Sequence, residues 1–241
     1  MKEKENGDNG LKSLINTSSS IMINFKAKAP GSYRHCQNVA QIGESIAKEL
    51  DLDVEKFVVA ATLHDIGKIF NPLYFIENQT GENIHDSLEP FVSYNFITRH
   101  VSDSVLILTQ MGIPQDVVLM VSEHHGDTLL KSIYQKCKEP SSVTEDMYHY
   151  ISQVPSSAES CLLMICDVVE ATMKALFTAD KMDDTRAIID GRINYLIDNQ
   201  QLDMLTIGKI RVIKKMLYRE VESVYHKRID YDEKIDEDKG D

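Results

Sequence analysis

The stretch of sequence that decides the fold is Val54–Lys68, which reads VEKFVVAATLHDIGK. Asp53 precedes this run as a candidate N-cap, and the mostly apolar residues that follow lead directly to His64-Asp65. Gly67 is a residue type that commonly ends a helix. We therefore predict a buried helix from Val54 to Ile66 that carries an imidazole and a carboxylate at its C-terminal end.

Helical periodicity continues on both sides of this stretch. Upstream, His35, Val39, Ile42 and Ile46 recur at the spacing of one helix face. Downstream, caps and breakers predict helices over 87–100, 103–111, 114–125, 128–137, 157–176, 184–199 and 206–225, with a long loop at 69–86 and a polar connection at 139–157. Because no strand pattern is convincing, we predict an all-α helical bundle.

Composition narrows the class of protein. A chain of 241 residues with 42% hydrophobic residues can form one domain with a sizeable core. Its net charge of -12 argues against a nucleic acid polymer as partner, but a small anionic substrate stays possible because bound metal cations can dominate a site. The sequence contains no membrane-length apolar run and no signal peptide, so we expect a cytoplasmic location and no membrane span.

The chain is predicted to have three regions. Residues 1–28 are rich in Lys, Asn, Gly and Ser and are expected to be flexible. Residues 29–229 hold the periodic helices and form the folded domain. Residues 230–241 are acidic and are expected to be a solvated tail.

Histidine and aspartate side chains are placed at the ends or on the inner faces of five different predicted helices. The set comprises His35, His64, Asp65, His100, His124, His125 and Asp167. Their spacing is not local, which excludes zinc-finger geometry. Asp167 lies in an otherwise apolar helix, where a carboxylate is unfavourable unless it is paired or bound to a metal.

Each of these residues has an ordinary structural explanation when it is taken alone. A single inward histidine is more often a satisfied core residue than a ligand. His64 and His124-His125 could stabilise helix C-termini, and Asp167 could pair with a buried Arg or Lys. As a set, however, they would leave several buried polar groups unsatisfied, which is rare in folded proteins. A metal cluster would satisfy all of them together.

The sequence from His64 to Lys68 matches the HD signature of metal-dependent phosphohydrolases. With the ordered histidine and aspartate series, the chain resembles the cytoplasmic catalytic domain of the seven-transmembrane-HD cyclic di-AMP phosphodiesterases. The resemblance covers roughly residues 29–232 and differs at Tyr150–Pro155, where that family has a Pro- and Gly-rich loop. Segments outside the metal series that share it are 29–35, 74–79, 83–86, 190–192, 201–203 and 225–229.

The resemblance implies an HD-domain helical bundle over residues 29–229 with a dinuclear metal site. One metal would be held by His35, His64, Asp65 and Asp167, and the other by His100, His124 and His125, with Asp65 as the bridge. Two iron or manganese ions are the implied cofactors, and they would activate a water for in-line attack on phosphorus. Lys68 could contact a phosphate oxygen, or equally be a surface lysine at a helix end.

The resemblance also implies hydrolysis of a cyclic dinucleotide, most of all cyclic di-AMP to pApA. The loop from Tyr74 to Asp86 would form a wall for this small-molecule nucleotide, with Asn78, Gln79 and Asn83 as candidates for reading the base. His85 could contact phosphate or base, but a cap on the helix that follows Ser87 is the favoured role. The alternatives are an HD nucleotidase, a guanosine tetraphosphate hydrolase, a non-catalytic cyclic-dinucleotide sensor and a helical dimerisation module. An oligomer is possible.

Overall fold

A computed structural model describes residues 11–137, 144–179, 181 and 184–237, and the chain forms nine α-helices within them. The β-structure of these described residues is one isolated bridge between Leu129 and His149. The predicted all-α fold is therefore confirmed. The helices are α1 (Ser20–Lys28), α2 (Pro30–Glu49), α3 (Val54–Leu63), α4 (Pro90–Gln110), α5 (Gln115–Glu123), α6 (Lys131–Tyr134), α7 (Ala158–Thr178), α8 (Thr185–Asp198) and α9 (Ile207–Glu237).

The centre of the bundle is the packing of α2 on α3, with α7 lying across both. Val39, Ile42 and Ile46 of α2 have no solvent exposure, as their helical spacing predicts. Gly43 lets the two helices approach closely, because a Cβ there would lie 2.1 Å from the Phe57 ring. The inner faces of these helices form one continuous apolar core with α5, α8 and α9.

Helix α3 begins as predicted but ends earlier. Asp53 is its N-cap and accepts a hydrogen bond from the Lys56 backbone N–H at 3.1 Å. The α-helix ends at Leu63 rather than Ile66, and the chain continues as a 3₁₀ helix over Ile66–Phe70. The physical reason is a close contact with α4, in which the Gly67 N–H donates to Ser104 Oγ at 2.9 Å.

Helix α4 is continuous, although the sequence suggested two helices over 87–100 and 103–111. No Gly or Pro lies between Pro90 and Met111, so nothing breaks the backbone hydrogen bonds there. The predicted loop at 69–86 contains three single-turn 3₁₀ helices, at Pro72–Tyr74, Ile76–Asn78 and Ile84–Asp86. The predicted helix over 128–137 is reduced to the single turn of α6.

The expectation that residues 1–28 are flexible does not apply to the last residues of this segment. Helix α1 occupies 20–28, and it buries Met22 and Phe25 in the core. Ser19 caps it by accepting from the Met22 N–H. Residues 1–10 and 238–241 lie outside the described residues. The earlier part of the expected acidic tail continues α9 to Glu237. The domain limits at 29 and 229 stay a prediction.

Two further observations concern membrane crossing and the cysteines. In the part of the chain that the structure describes, none of the helices combines the length and the apolar character needed to cross a membrane. The four cysteines all lie within the described residues and form no disulfide.

We expect Gly67→Ala to destabilise the fold. The new Cβ would lie 2.3 Å from the His100 carbonyl oxygen and 2.5 Å from the Ser104 nitrogen, so backbone must move. Overpacking of this kind costs about 1–3 kcal/mol. Denaturant unfolding measures the loss. The control is Gly191→Ala in α8, where a Cβ meets no described atom within 4 Å and should stabilise by about 0.5–1 kcal/mol. Equal stability of the two variants would contradict the packing described.

Candidate metal centre

The structure brings all seven predicted residues to one place in the bundle. His35 comes from α2, His100 from α4 and Asp167 from α7. His64-Asp65 and His124-His125 follow the last turns of α3 and α5. All are buried except His125, whose side chain is 20% exposed.

Asp65 lies at the centre of this cluster, and its two carboxylate oxygens face different histidines. Oδ1 lies 3.2 Å from His100 Nε2 and 4.0 Å from His124 Nε2. Oδ2 lies 3.5 Å from His64 Nε2 and 3.8 Å from His35 Nε2. One carboxylate therefore joins two groups of imidazoles, which is the arrangement required of a bridging ligand.

Three of the histidines are oriented by the same local contact. Nδ1 of His64, His100 and His124 each lies close to the carbonyl three residues earlier, those of Ala61, Ile97 and Val121, at 2.8, 2.5 and 2.6 Å. A carbonyl can only accept, so Nδ1 carries a proton in each ring, and the neutral form of each ring has its lone pair on Nε2. Orienting contacts of this kind are typical of metal-ligating histidines.

His35 is oriented by a residue that the sequence analysis did not assign to the site. Its Nδ1 donates to Glu170, which is fully buried, and its Nε2 lies 2.8 Å from Asp167 Oδ1. The Asn38 side-chain N–H donates to the other Glu170 oxygen at 2.6 Å. Glu170 is one turn beyond Asp167 in an apolar helix, which is the signal that could have identified it.

The polar atoms of the cluster fit bound cations. Among the described residues, His64 Nε2 and Asp65 Oδ1 have no hydrogen-bond partner. His100 Nε2 and His124 Nε2 lie 3.2 Å apart, although both present lone pairs. Cations bound in the two groups of imidazoles would satisfy all of these atoms. The ligand atoms form two compact groups, namely His100, His124 and His125, and His35, His64 and Asp167.

Cys36 is a further potential ligand close to His64, but its position argues against that role. Its Sγ lies 3.6 Å from His64 Nδ1, the nitrogen that already contacts the Ala61 carbonyl. The thiol therefore contacts the Nδ1 side of the imidazole, although its Sγ also lies within 4.8 Å of an Asp65 oxygen.

The two groups differ in charge. Burial lowers the pKa of His125 to about 3 and also lowers the pKa values of His100 and His124, so these three rings are neutral and ready to coordinate. Burial opposes the charged form of His35 as well, but its contacts with Asp167 and Glu170 raise its pKa to about 10. Metal binding at His35 must therefore release a proton.

Lys68 belongs to the centre and is not the surface lysine that the sequence left open. Its side chain is only 12% exposed, and its Nζ lies 2.6 Å from Asp65 Oδ2 and 3.0 Å from Glu77 Oε1. Although burial opposes ionisation, the Lys68 ammonium holds the pKa of Asp65 well below its usual range. The ammonium also lies 4.7 Å from the centre of the Phe75 ring.

A cavity of about 640 Å³ opens directly onto the cluster. His35, His100, His125 and Asp167 line its floor, and its walls are largely apolar, with Phe75, Ile76, Ile97, Val168, Ala171, Ala175 and Tyr150. Tyr150, from the segment that differs from the family pattern, is buried with its ring 4.3 Å from that of His125. The Tyr150 N–H donates to the Thr128 carbonyl at 2.9 Å, which fixes this wall.

The loop side chains considered for base reading have other partners. Asn78 accepts from the Gly31 N–H at 2.8 Å and thus caps α2. Gln79 donates to the Leu73 carbonyl, and Asn83 accepts from the His85 N–H. His85 is buried with Nε2 2.8 Å from the Tyr74 carbonyl, so it holds the loop together and does not cap a helix.

Comparisons with known proteins agree with this geometry. The HD domain family matches residues 32–172. The chain is 36% identical to the cyclic-di-AMP phosphodiesterase PgpH of Listeria monocytogenes and 30% identical to PgpH of Bacillus subtilis, in each case over 92% of this chain. It spans about a third of the length of these curated relatives, 31% and 32%.

A solved structure gives the same result at the level of the fold. The crystal structure of the L. monocytogenes PgpH HD domain in complex with cyclic-di-AMP superposes with a TM-score of 0.79 and 33% identity. The match covers 87% of this chain and all of that one. Sequence, fold and the arrangement around His64-Asp65 lead to one conclusion, that the chain belongs to the HD domain family.

Proposed function

We propose that the chain is a metal-dependent phosphodiesterase that hydrolyses cyclic di-AMP to linear pApA. The observation that carries the chemistry is Asp65, whose two oxygens face separate imidazole groups at the floor of one cavity. The substrate is supported by the relatives, because the PgpH proteins are named cyclic-di-AMP phosphodiesterases and one solved neighbour holds cyclic-di-AMP.

Two divalent ions would be held by the residues predicted from the sequence. His35, His64 and Asp167 would hold one, and His100, His124 and His125 the other, with Asp65 between them. Imidazole and carboxylate donors suit iron, manganese, zinc or nickel. We propose iron or manganese because the resemblance to the cyclic di-AMP phosphodiesterases implies them. Such a pair supplies Lewis acidity toward phosphate oxygens and lowers the pKa of a bound water.

The protein side chains would orient the phosphodiester and shield it from bulk water. The Lys68 ammonium is close enough to Asp65 to contact a phosphate oxygen that binds beside it. Glu170 keeps His35 turned toward Asp167. The rings of Phe75 and Tyr150 cover two sides of the cavity and would exclude bulk water from the ester, which strengthens electrostatic contacts there. Water is added across one P–O3′ bond, so the product is the linear dinucleotide.

The remaining expectations are part of the same proposal. A nucleotidase or a guanosine tetraphosphate hydrolase would use the same cluster with a different cavity wall, so substrate kinetics must separate them. A non-catalytic sensor is disfavoured because all seven expected side chains are present and converge. The cytoplasmic location and a possible oligomer stay predictions.

We expect the purified protein to carry about two transition-metal ions per chain, because the cluster offers more ligands than one four- or six-coordinate ion can use. Elemental analysis after metal loading measures the stoichiometry. Absence of bound metal, with no activity on adding manganese or iron, would contradict the proposal.

We expect Asp65→Ala to abolish turnover and reduce metal content while the helical fold survives. Asp65 has one carboxylate oxygen facing each imidazole group, so its loss affects both ions. Circular dichroism, elemental analysis and product formation are the measurements. Asp103→Asn removes another buried carboxylate, one that pairs with Arg99 outside the cluster, and should keep both metal and activity. Normal turnover in the folded Asp65→Ala variant would show that the assignment is wrong.

We expect cyclic di-AMP to be hydrolysed to pApA with a higher kcat/KM than cyclic di-GMP. Purine discrimination requires buried donors and acceptors at the base edge, whose mismatch is worth a few kcal/mol. Because Asn78, Gln79 and Asn83 already have partners, we expect their removal to disturb the loop more than the preference between bases. Steady-state kinetics on both dinucleotides with one metal ion tests the claim. A higher kcat/KM for cyclic di-GMP, or cleavage of mononucleotides alone, would refute the substrate and leave the metal chemistry standing.

A further inference from the structure

The segment Phe75–Gln79 contains a buried acid that the metal centre does not use. The Glu77 side chain is 14% exposed, and it lines the same cavity as His35 and Lys68. Its Oε1 accepts from Ser32 Oγ at 2.7 Å and lies 3.0 Å from Lys68 Nζ. Burial opposes its ionisation, but the Lys68 ammonium lowers the pKa of Glu77 to about 2, so Glu77 is an anion.

The backbone around Glu77 is fixed to the first turn of α2 independently of its own carboxylate. Asn78 Oδ1 accepts from the Gly31 and Ser32 N–H groups at 2.8 and 3.2 Å. A Cβ on Gly31 would lie 1.8 Å from the Glu77 carbonyl oxygen, so the two segments are in direct contact. Glu77 therefore extends from a rigid platform toward Lys68.

Lys68 lies between two carboxylates that differ in whether they face the metal-binding groups. One is Asp65, whose oxygens face the metal-binding groups, and the other is Glu77, which faces none of them. When cations occupy the cluster, Asp65 is neutralised and the added positive charge repels the ammonium. Glu77 is then the carboxylate that keeps Lys68 directed into the cavity, beside the contact of the ammonium with the Phe75 ring.

We propose that Glu77 is a positioning residue that holds the Lys68 ammonium beside the metal centre, where it contacts a phosphate oxygen of the substrate. The inference rests on the proposed phosphodiesterase function and deepens it, because it assigns the acidic residue of the 75–79 segment to phosphate recognition. Without the Glu77 charge, Lys68 would turn away from the loaded centre, and its contribution would disappear although the lysine is still present.

A purely structural role for Glu77 predicts a different result. In that case Ser32→Ala, which removes the hydroxyl hydrogen bonds to Glu77 and Asn78 and keeps the carboxylate charge, would have the same effect as Glu77→Gln. If Glu77 acts through Lys68, Ser32→Ala stays close to the unmodified protein. Glu82→Gln is the matched control, because it removes an exposed charge from the same loop.

The experiment is a double-mutant cycle on the metal-loaded protein with Glu77→Gln, Lys68→Ala and the double variant. Inorganic phosphate affinity by calorimetry is the first readout, and cyclic di-AMP turnover is the second. Each single variant should weaken phosphate binding about tenfold, as loss of a hydrogen bond to a charged group does, and lower kcat on the order of 100-fold. The double variant should lose no more than Lys68→Ala alone, and metal content should be unchanged.

Additive losses in the cycle, or equal losses in Ser32→Ala and Glu77→Gln, would overturn the proposal. If Glu77→Gln fails to fold by circular dichroism, Glu77→Ala takes its place in the cycle, with the same lack of additivity expected. If the unmodified protein does not hydrolyse cyclic di-AMP, the proposed function fails, and the phosphate affinities still decide the role of Glu77.

Discussion

The structure depends on one buried carboxylate, that of Asp65, held between two groups of imidazoles. Placing an anion and several histidines in the centre of an apolar bundle is strongly unfavourable unless they satisfy one another or bind cations. Helices α3 and α5 end at this point, and α2, α4 and α7 pass beside it, so that side chains from five helices meet. The early end of α3 at Leu63 is part of this arrangement, because it turns His64 and Asp65 inward together.

The surrounding contacts determine which atom of each side chain faces the centre. Backbone carbonyls direct three imidazoles, Glu170 directs His35, and Glu77 contacts Lys68. Gly67 brings the backbone after Asp65 against α4, and Gly126, with φ of +54°, turns the chain after His125. Outer contacts of this kind commonly decide the affinity and reactivity of a metal site as much as its ligands do.

The fold class and the converging residues were predictable because helical periodicity and the order of histidines are properties of the sequence itself. The end of α3 and the packing of α1 were not, since they depend on tertiary contacts such as those of Gly67 and Phe25. The continuity of α4, by contrast, follows from the absence of Gly and Pro between Pro90 and Met111. Glu77 was likewise unassigned, because its contacts with Ser32, which is 45 residues away in sequence, and with Lys68 depend on how the loop folds. The hydrogen bonds of Asn78 with α2 and of Gln79 within the loop show that polar loop side chains can serve to hold the loop in place.

The central claim is that Asp65 bridges two metal ions. A crystal structure of the manganese-loaded protein with anomalous scattering recorded near the manganese edge tests it most directly. We expect two anomalous peaks about 3.5–4 Å apart, one beside each carboxylate oxygen of Asp65. A single peak, or two peaks of which only one contacts Asp65, would contradict it.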